Sequence, residues 1–504
     1  MSIRYATNAF LYHAAAFYMD WSLLLTFGGF VGLLVGIGLY FYRTDASHTL
    51  TDYMLAGRRV APFPMAMSEV ASVASGWTFF AWVGVGFSTG LHGLWFSLFM
   101  LLVVAFVYYA VAPPFRAASE QLQSHTVVDH LARSVTPRRP RILIRTVGTL
   151  AILVFMGAYV GAQLIAVGEA MDTGLNLSYT ASVLIGGSAV AAYTVLGGFN
   201  ASVWTDVVQG LLVIATVIVL PLVAIQAIGG WSAFITEVRA IDPTLLALDG
   251  GLSGTALLMS LLAWATFALG AIGQPHSLMR FQSIESARLM PRAALWGISL
   301  QAIRLTIPLL IGMAGRVLYT ATQDPEAVAM IALTDLMPGW LAGVMLAGII
   351  GAILSTSDSM MLVAAADLTR GYEAWRPNTS QATLIRMSRS IVGVLAVGGI
   401  IMALVRPGTI FDIIEFAFVG LGATLGLPLC LALLWRGTTA AGVLAGVVGG
   451  LVCTVLNLLL FPDLFPVLVW PVAIALIVGV SWATPSQTLH ADARATSSPP
   501  HATR

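Results

Sequence analysis

The sequence contains no lysine; all 24 of its basic residues are arginine. Chemistry that needs a lysine amine, such as Schiff-base formation, is therefore excluded. Cysteine is nearly absent: Cys430 and Cys453 lie in apolar runs and read as free, buried thiols that carry no message about redox compartment. Charge is scarce as well. Only 9% of residues are charged, against about 25% in an ordinary soluble domain. So few charges cannot cover a water-facing surface, and most of the chain must face lipid or other helices. A net charge of +1 points to neither nucleic acid nor an acidic partner. No H-E-x-x-H, C-x-x-C, G-x-S-x-G or phosphate-loop pattern appears, and no nucleophile has a base at a workable spacing. The sequence thus gives no basis for an enzyme or for a bound cofactor.

What is abundant is apolar: 58% of the 504 residues are hydrophobic types, and 49 are glycine. A bilayer span needs about 20 apolar residues. Thirteen segments qualify: 21–42, 64–89, 93–113, 142–170, 178–197, 203–228, 254–275, 293–318, 339–367, 384–405, 410–434, 440–461 and 465–483. The connections are short, so no soluble domain is inserted. Residues 1–20 form an N-terminal extension of mixed character, and Met19, directly before the first span, is expected to be the native start. Residues 21–484 carry the spans, and 485–504 read as a disordered polar tail. Arginine placement predicts orientation. With the N-terminus outside, Arg4, Arg239, Arg316 and Arg406 lie outside and Arg304 lies within a span. All the others, Arg280 among them, fall on the cytoplasmic side with the C-terminus. A bacterial inner membrane is the expected location.

Two spans are unusual. The second carries Ser68-Glu69-Val70-Ala71-Ser72-Val73-Ala74-Ser75-Gly76, and the ninth carries Gly351-Ala352-Ile353-Leu354-Ser355-Thr356-Ser357-Asp358-Ser359. Small and hydroxyl residues let backbones approach closely or let a helix unwind at mid-membrane. Ionisable side chains within lipid are costly and are functional candidates. They are Glu69, Asp206, Arg304, Asp358 and Glu415. Glu69, Asp206 and Asp358 all fall in the inner half of the membrane, where they can line a cation path. Ser355, Asp358 and Ser359 share one helix face at i, i+3, i+4, an oxygen-rich patch suited to a hard cation such as sodium. Thr356 turns toward a different neighbour. Hydrogen bonding back to the helix's own carbonyls is the plainer reading of these hydroxyls. Arg304 is expected to pair with an acid, and Glu415 to contact the outer loops.

These motifs resemble the sodium:solute symporter family, over about residues 52–446. The resemblance is carried by Asp52-Tyr53-Met54-Leu55-Ala56-Gly57-Arg58, Ser75-Gly76-Trp77, Gly197-Gly198-Phe199, Trp204-Thr205-Asp206 with Gln209, Gly273-Gln274-Pro275-His276 with Arg280, and Leu354-Ser355-Thr356. It implies an all-α membrane fold like the leucine transporter, with inverted five-helix repeats near 64–228 and 254–434. The second and seventh spans would then be broken at mid-membrane around the solute. It also implies a sodium site from the carbonyls of Ala71, Ala74 and Ala352 and the hydroxyls of Ser355 and Thr356. A second cation or proton site would use Asp206, Ser355, Asp358 and Ser359. Ser75, Gly76, Trp77, Tyr159, Phe267 and Ala271 would surround the solute.

The chain also departs from the sodium/proline symporters within that family. Val73 stands where they have an essential Asp, and Glu69, four residues earlier on the same face, is a possible coupling acid. Phe267 and Ala271 replace a Trp and a Tyr, which implies a wider, less polar pocket. The expected function is sodium-coupled import of a small solute: proline, another amino acid or a small carboxylate. Sodium is the coupling ion, and sodium, solute and bilayer are the partners. A proton-coupled carrier on the same fold and a transporter-like solute sensor are the alternatives.

Overall fold

The computed structural model describes residues 21–44, 50–320, 322, 324–464, 466–485 and 489. Residues 1–20, including Met19, lie outside the described residues, as does most of the tail. Leu489, the one described residue beyond Pro485, is buried and forms an isolated bridge with Val135.

The described chain is almost wholly helical, and no strand is named among the described residues. Eleven helices position the site: α1 (Trp21–Thr44), α2 (Pro62–Val73), α3 (Ala81–Thr89), α4 (Arg138–Leu175), α5 (Tyr179–Ile228), α6 (Gly254–Leu269), α7 (Pro275–Ser283), α8 (Met290–Thr306), α9 (Gly339–Trp375), α10 (Gln381–Val405) and α11 (Ile410–Leu421). Among the described residues, nine helical stretches are long and apolar enough to cross a membrane, and three shorter apolar helices accompany them. This count is not the thirteen expected, because it joins some legs and omits broken helices. Gly76–Gln121, for example, is one stretch that contains a 3-10 turn at Gly90–Gly93.

Helix α5 is assigned as 50 continuous residues, where the sequence predicts two spans. Its contacts run in opposite directions. A Cβ on Gly168 would meet Tyr179, and one on Gly187 would meet Leu164, so the first leg descends α4. In the second leg Ser202 bonds Asp358, and Leu212 lies against Gly348, so this leg climbs α9.

The centre is the antiparallel pair α4 and α9. The Arg145 guanidinium donates to the Arg370 carbonyl at 3.0 Å at one end. Gly174 meets Leu346 at the other. Proline chemistry explains the local irregularities. Pro113 and Pro114 cannot donate, and their rings crowd carbonyls four residues back, so the helix widens into a π-turn at Val107–Val111. Pro428 has the same relation to the π-turn at Gly422–Gly426. Pro62 and Pro275 open α2 and α7, where a missing N–H costs nothing. The start of α2 and the end of α7 are stitched together: Val60 N donates to the Ser283 carbonyl at 3.1 Å, and Glu285 N to the Val60 carbonyl at 3.0 Å.

The arginine-rich end is closed by a short helix, Val127–Arg133, capped by Thr126. Thr126 also bonds Asp367 of α9. Asp129 takes Arg133 at 2.9 Å and Arg145 at 2.8 Å. His125 lies 2.5 Å from the Thr51 hydroxyl and bonds Arg370, and His130 meets the Ser124 hydroxyl at 3.1 Å. Burial, then the Arg370 charge, pulls the His125 pKa down to about 3, and burial takes His130 to about 4. Below pH 6.5 the unfolded chain takes up protons that the folded imidazoles refuse. The stability they contribute is therefore present above 6.5 and is lost as pH falls toward 4. The melting temperature of the detergent-purified protein should drop between pH 7 and pH 5, and His130→Asn should flatten that drop. A melting temperature independent of pH over this range would contradict the buried neutral pair.

Candidate functional site

Helix α2 stops at Val73 because the next three residues are small and one of them caps a new start. Ala74 is the last residue to donate back, to Val70 at 2.9 Å and Ala71 at 3.2 Å. The backbone then leaves the helical conformation at Ser75, whose hydroxyl accepts from Trp77 N at 3.2 Å and caps the short helix Gly76–Phe79. The freed Gly76 N–H donates to Gln163 Oε1 of α4 at 2.9 Å. A Cβ on Gly76 would lie 2.4 Å from that of Ala166, so the break presses on α4 with no room for a side chain.

A second break faces the first. Helix α6 tightens into a 3-10 turn at Gly270–Gly273, Gln274 is extended, and α7 begins at Pro275. The sequence predicts a span ending at 275; the structure continues it as a buried half-helix. The Gln274 amide bonds the Gly270 carbonyl at 2.8 Å and the Phe418 carbonyl of α11 at 3.2 Å. A Cβ on Gly273 would lie 2.4 Å from the Leu421 carbonyl oxygen.

A cavity of about 50 Å³ lies between the two breaks, room for a few water molecules. One wall is aromatic. Trp77 stacks on Trp82 at 4.9 Å, Phe96 lies 4.9 Å from Phe267, and Phe267 lies 5.6 Å from Phe418. The other end is polar and ionic. Glu69 receives Ser277, Tyr108 and Gln301, each at 3.3 Å. Arg304 of α8 donates to Gln301 at 2.7 Å and to Thr78 at 3.0 Å. Two buried atoms of lining residues have no partner among the described residues: the donor Trp77 Nε1 and the acceptor Gln274 Oε1.

Behind the first break, α9 crosses α2. Ser355 Oγ lies 3.4 Å from the Ala71 carbonyl oxygen and donates to the Ala352 carbonyl at 3.0 Å. Thr356 Oγ1 donates to that carbonyl at 3.0 Å. Back-bonding occupies the hydroxyl protons and leaves the oxygen lone pairs free for a cation. Ala71, Ala74, Ala352, Ser355 and Thr356 are all buried.

Deeper, Asp206 of α5 meets an unexpected partner. Arg280, at 1% exposure, is carried inward by α7. Its guanidinium bonds Asp206 Oδ2 at 2.7 Å, Ser359 Oγ at 2.7 Å, Ser68 Oγ at 2.7 Å and the His276 carbonyl at 3.0 Å. Ser68 donates to Asp206 at 2.5 Å. Asp358 receives Ser202 at 3.1 Å and Ser359 at 3.0 Å.

Of the five residues expected around sodium, Ser355 meets the Ala71 carbonyl and, with Thr356, the Ala352 carbonyl; Ala74 stands at the end of α2, bonded back to Val70 and Ala71. The structure also gathers Asp206, Ser355, Asp358 and Ser359, but with a guanidinium among them. The placement of Arg280 in a cytoplasmic loop is corrected: reading a span to end at 275 put it outside, whereas the break lets the helix resume. Of the residues expected around the solute, Trp77, Tyr159, Phe267 and Ala271 line the cavity, and so does Glu69 beside Val73. Ser75 and Gly76 are not among its lining; they build the break itself. Gln163, Gln301 and Tyr108 were missed, since a single Gln or Tyr in an apolar span gives no sequence signal of its own; Gln274 stands in the Gly273–His276 motif but had no role assigned to it.

A model of the sodium:solute symporter family matches residues 53–450. Sodium/proline symporters of Staphylococcus aureus strains JH9 and USA300 are each 31% identical over 443 residues, covering 86% of this chain and 85% of theirs. Three solved structures share the fold. A substrate-bound, outward-open Na+-coupled sialic acid symporter, described as revealing a novel Na+ site, aligns with a TM-score of 0.74 at 17% identity, over 94% of this chain and 100% of that one. The nucleobase-cation-symport-1 family transporter Mhp1, closed on bromovinylhydantoin, gives 0.58 at 15%, covering 89% and 97%. MhsT with L-phenylalanine gives 0.54 at 13%, covering 84% and 96%.

The break makes a direct test possible. Gly76→Val should destabilise the fold by an overpacking cost of about 1–3 kcal/mol and so lower the melting temperature. Gly157→Val, on α4 with nothing within 4 Å of its Cβ position, should not. Equal behaviour of the two variants would mean that the close approach at Gly76 is not a constraint.

Proposed function

From the premise that the chain belongs to the sodium:solute symporter family, we propose that it imports a small organic solute together with sodium by alternating access. Members of that family are transporters, so the chain is a membrane transporter and not an enzyme. The observation that carries the ion assignment is Ser355 of α9 beside the Ala71 carbonyl of α2, next to Ala352 and Thr356. A hard cation is satisfied by such hydroxyl and carbonyl oxygens. A sodium ion there bridges the broken helix and the long helix behind it. It thereby favours the conformation in which the cavity is complete. Coupling follows because the ion binds that conformation better, and the solute reciprocally improves ion binding.

The solute reading rests on the cavity. Its ionic end offers Glu69 and Arg304, and its free donor and acceptor are Trp77 Nε1 and Gln274 Oε1. A small solute with a carboxylate, and with an ammonium to match Glu69, suits that end; an amino acid such as proline meets both conditions. Val73 stands where the sodium/proline symporters have an Asp, and Glu69 lies in the same cavity one helical turn away, so we assign it the role of coupling acid. Trp77, Phe267 and Ala271 flank the apolar part of the solute.

A proton-coupled carrier is the second reading, favoured by one observation: Asp358 is a buried carboxyl whose named partners are hydroxyls, not a cation. We place the chain in a bacterial inner membrane with its arginine-rich end cytoplasmic.

Uptake of labelled amino acids, carboxylates and sugars into proteoliposomes, with and without a sodium gradient, identifies the solute. Ser355→Ala and Thr356→Ala should each raise the sodium concentration for half-maximal uptake by tenfold or more, on the order of 1.4 kcal/mol. Normal uptake at low sodium in either variant would remove the site from α9. Arg304→Gln should abolish uptake of a carboxylate solute while leaving sodium binding intact. Uptake driven by a proton gradient in sodium-free buffer would favour the second reading.

A further inference from the structure

Glu69 and Arg304 line one cavity, yet among the described residues they form no ion pair with each other. Gln301 stands between them. We infer that Gln301 is a spacer that keeps the two charges from neutralising each other, and that it thereby makes the cavity selective for a zwitterion. This rests on the amino-acid reading above and deepens it.

The hydrogen bonds carry the inference. Gln301 is three residues before Arg304 on α8, on the same helix face, and is 1% exposed. Its Nε2 donates to Glu69 Oε2 at 3.3 Å, and its Oε1 accepts from Arg304 Nε at 2.7 Å. A carboxylate offers only acceptors and a guanidinium only donors, so a neutral bridge between them must both donate and accept. The Gln amide does this without adding charge. The two ends are also held from other segments. Ser277 of α7 and Tyr108 donate to Glu69, and Thr78 accepts from Arg304 Nη1 at 3.0 Å. Gly297, one turn before Gln301 on α8, admits Tyr108: a Cβ there would lie 2.2 Å from the Tyr108 hydroxyl oxygen.

Opposite charges in an apolar surrounding attract strongly at short range. A direct Glu69–Arg304 pair would close the site on itself, and a solute would have to part it before binding. With the spacer in place, one edge of each charge stays open. Arg304 Nη2 has no hydrogen bond among the described residues, and Glu69 Oε1 receives only Ser277, at 3.3 Å. The same lining holds the unpaired donor Trp77 Nε1 and the unpaired acceptor Gln274 Oε1. The donors Arg304 Nη2 and Trp77 Nε1 suit a carboxylate; the acceptors Glu69 Oε1 and Gln274 Oε1 suit an ammonium. A solute carrying only one of these groups leaves the opposite buried charge unanswered, which is costly. The spacer therefore favours amino acids over plain carboxylates and plain amines.

Thermal-shift titration of the purified full-length protein in sodium, with each of the twenty L-amino acids in turn, gives apparent Kd values from the rise in melting temperature. At least one amino acid should bind the wild type. For that amino acid, Gln301→Leu should raise Kd by about tenfold or more, while the sodium concentration for half-maximal stabilisation without amino acid stays the same. Gln301→Glu places a carboxylate against Arg304. It should weaken the same amino acid and strengthen its decarboxylated amine, which lowers the preference for the amino acid by about tenfold or more. A purely structural role would weaken both probes together. An unchanged Kd in Q301L, or an unchanged preference in Q301E, would overturn the inference, as would failure of both variants to fold. If none of the twenty binds the wild type, the amino-acid reading is rejected and the inference goes with it.

Discussion

Everything in this fold turns on one constraint: a helix interrupted inside a bilayer releases backbone groups that no water can satisfy. The chain interrupts two helices and supplies the missing partners from side chains. Ser75 caps one new start, Gln163 takes the Gly76 amide, and Gln274 reaches the Gly270 and Phe418 carbonyls. Each partner sits where a neighbouring helix comes very close. The breaks therefore exist only in the folded assembly, and the cavity between them is a product of packing rather than of either helix.

Charge is handled by the same logic. Glu69 and Asp206 lie in the first half of the chain, and Arg304 and Arg280 in the second. Each acid is tied to an arginine from the other half, Asp206 directly and Glu69 through Gln301. Removing one member of a buried pair costs about 3–5 kcal/mol, far more than a surface pair contributes. These ties thus hold segments from the two halves of the chain against one another around the cavity. A transport cycle has to rearrange at least one of them.

Much of the candidate site was legible beforehand because its signals are local. The run Ser68–Gly76 carries too many small and hydroxyl residues for an ordinary span, and the structure breaks the helix there. The i, i+3, i+4 spacing of Ser355, Asp358 and Ser359 put three oxygens on one face, and they do meet Ser202, Arg280 and the neighbourhood of Asp206. Arg280 was misplaced because hydropathy sees a span end at Pro275, where Gln274, Pro275 and His276 interrupt the apolar run. A half-helix that resumes with polar residues looks the same as a loop. Ser75 and Gly76 were read as solute contacts because they stand in the motif, while the geometry gives them to the break.

The sequence alone determined that this chain lives in a membrane and that it belongs with the sodium:solute symporters, and it marked α2 and α9 as the spans with candidate site residues. Composition, small-residue runs and helical spacing are properties of neighbouring residues, so they survive without a fold. Only the tertiary structure decided which cation answers Asp206. Ser68, Asp206, Arg280 and Ser359 are scattered over nearly 300 positions, and a buried charge is neutralised by whatever the packing brings within hydrogen-bond distance. No periodicity along the chain encodes that meeting.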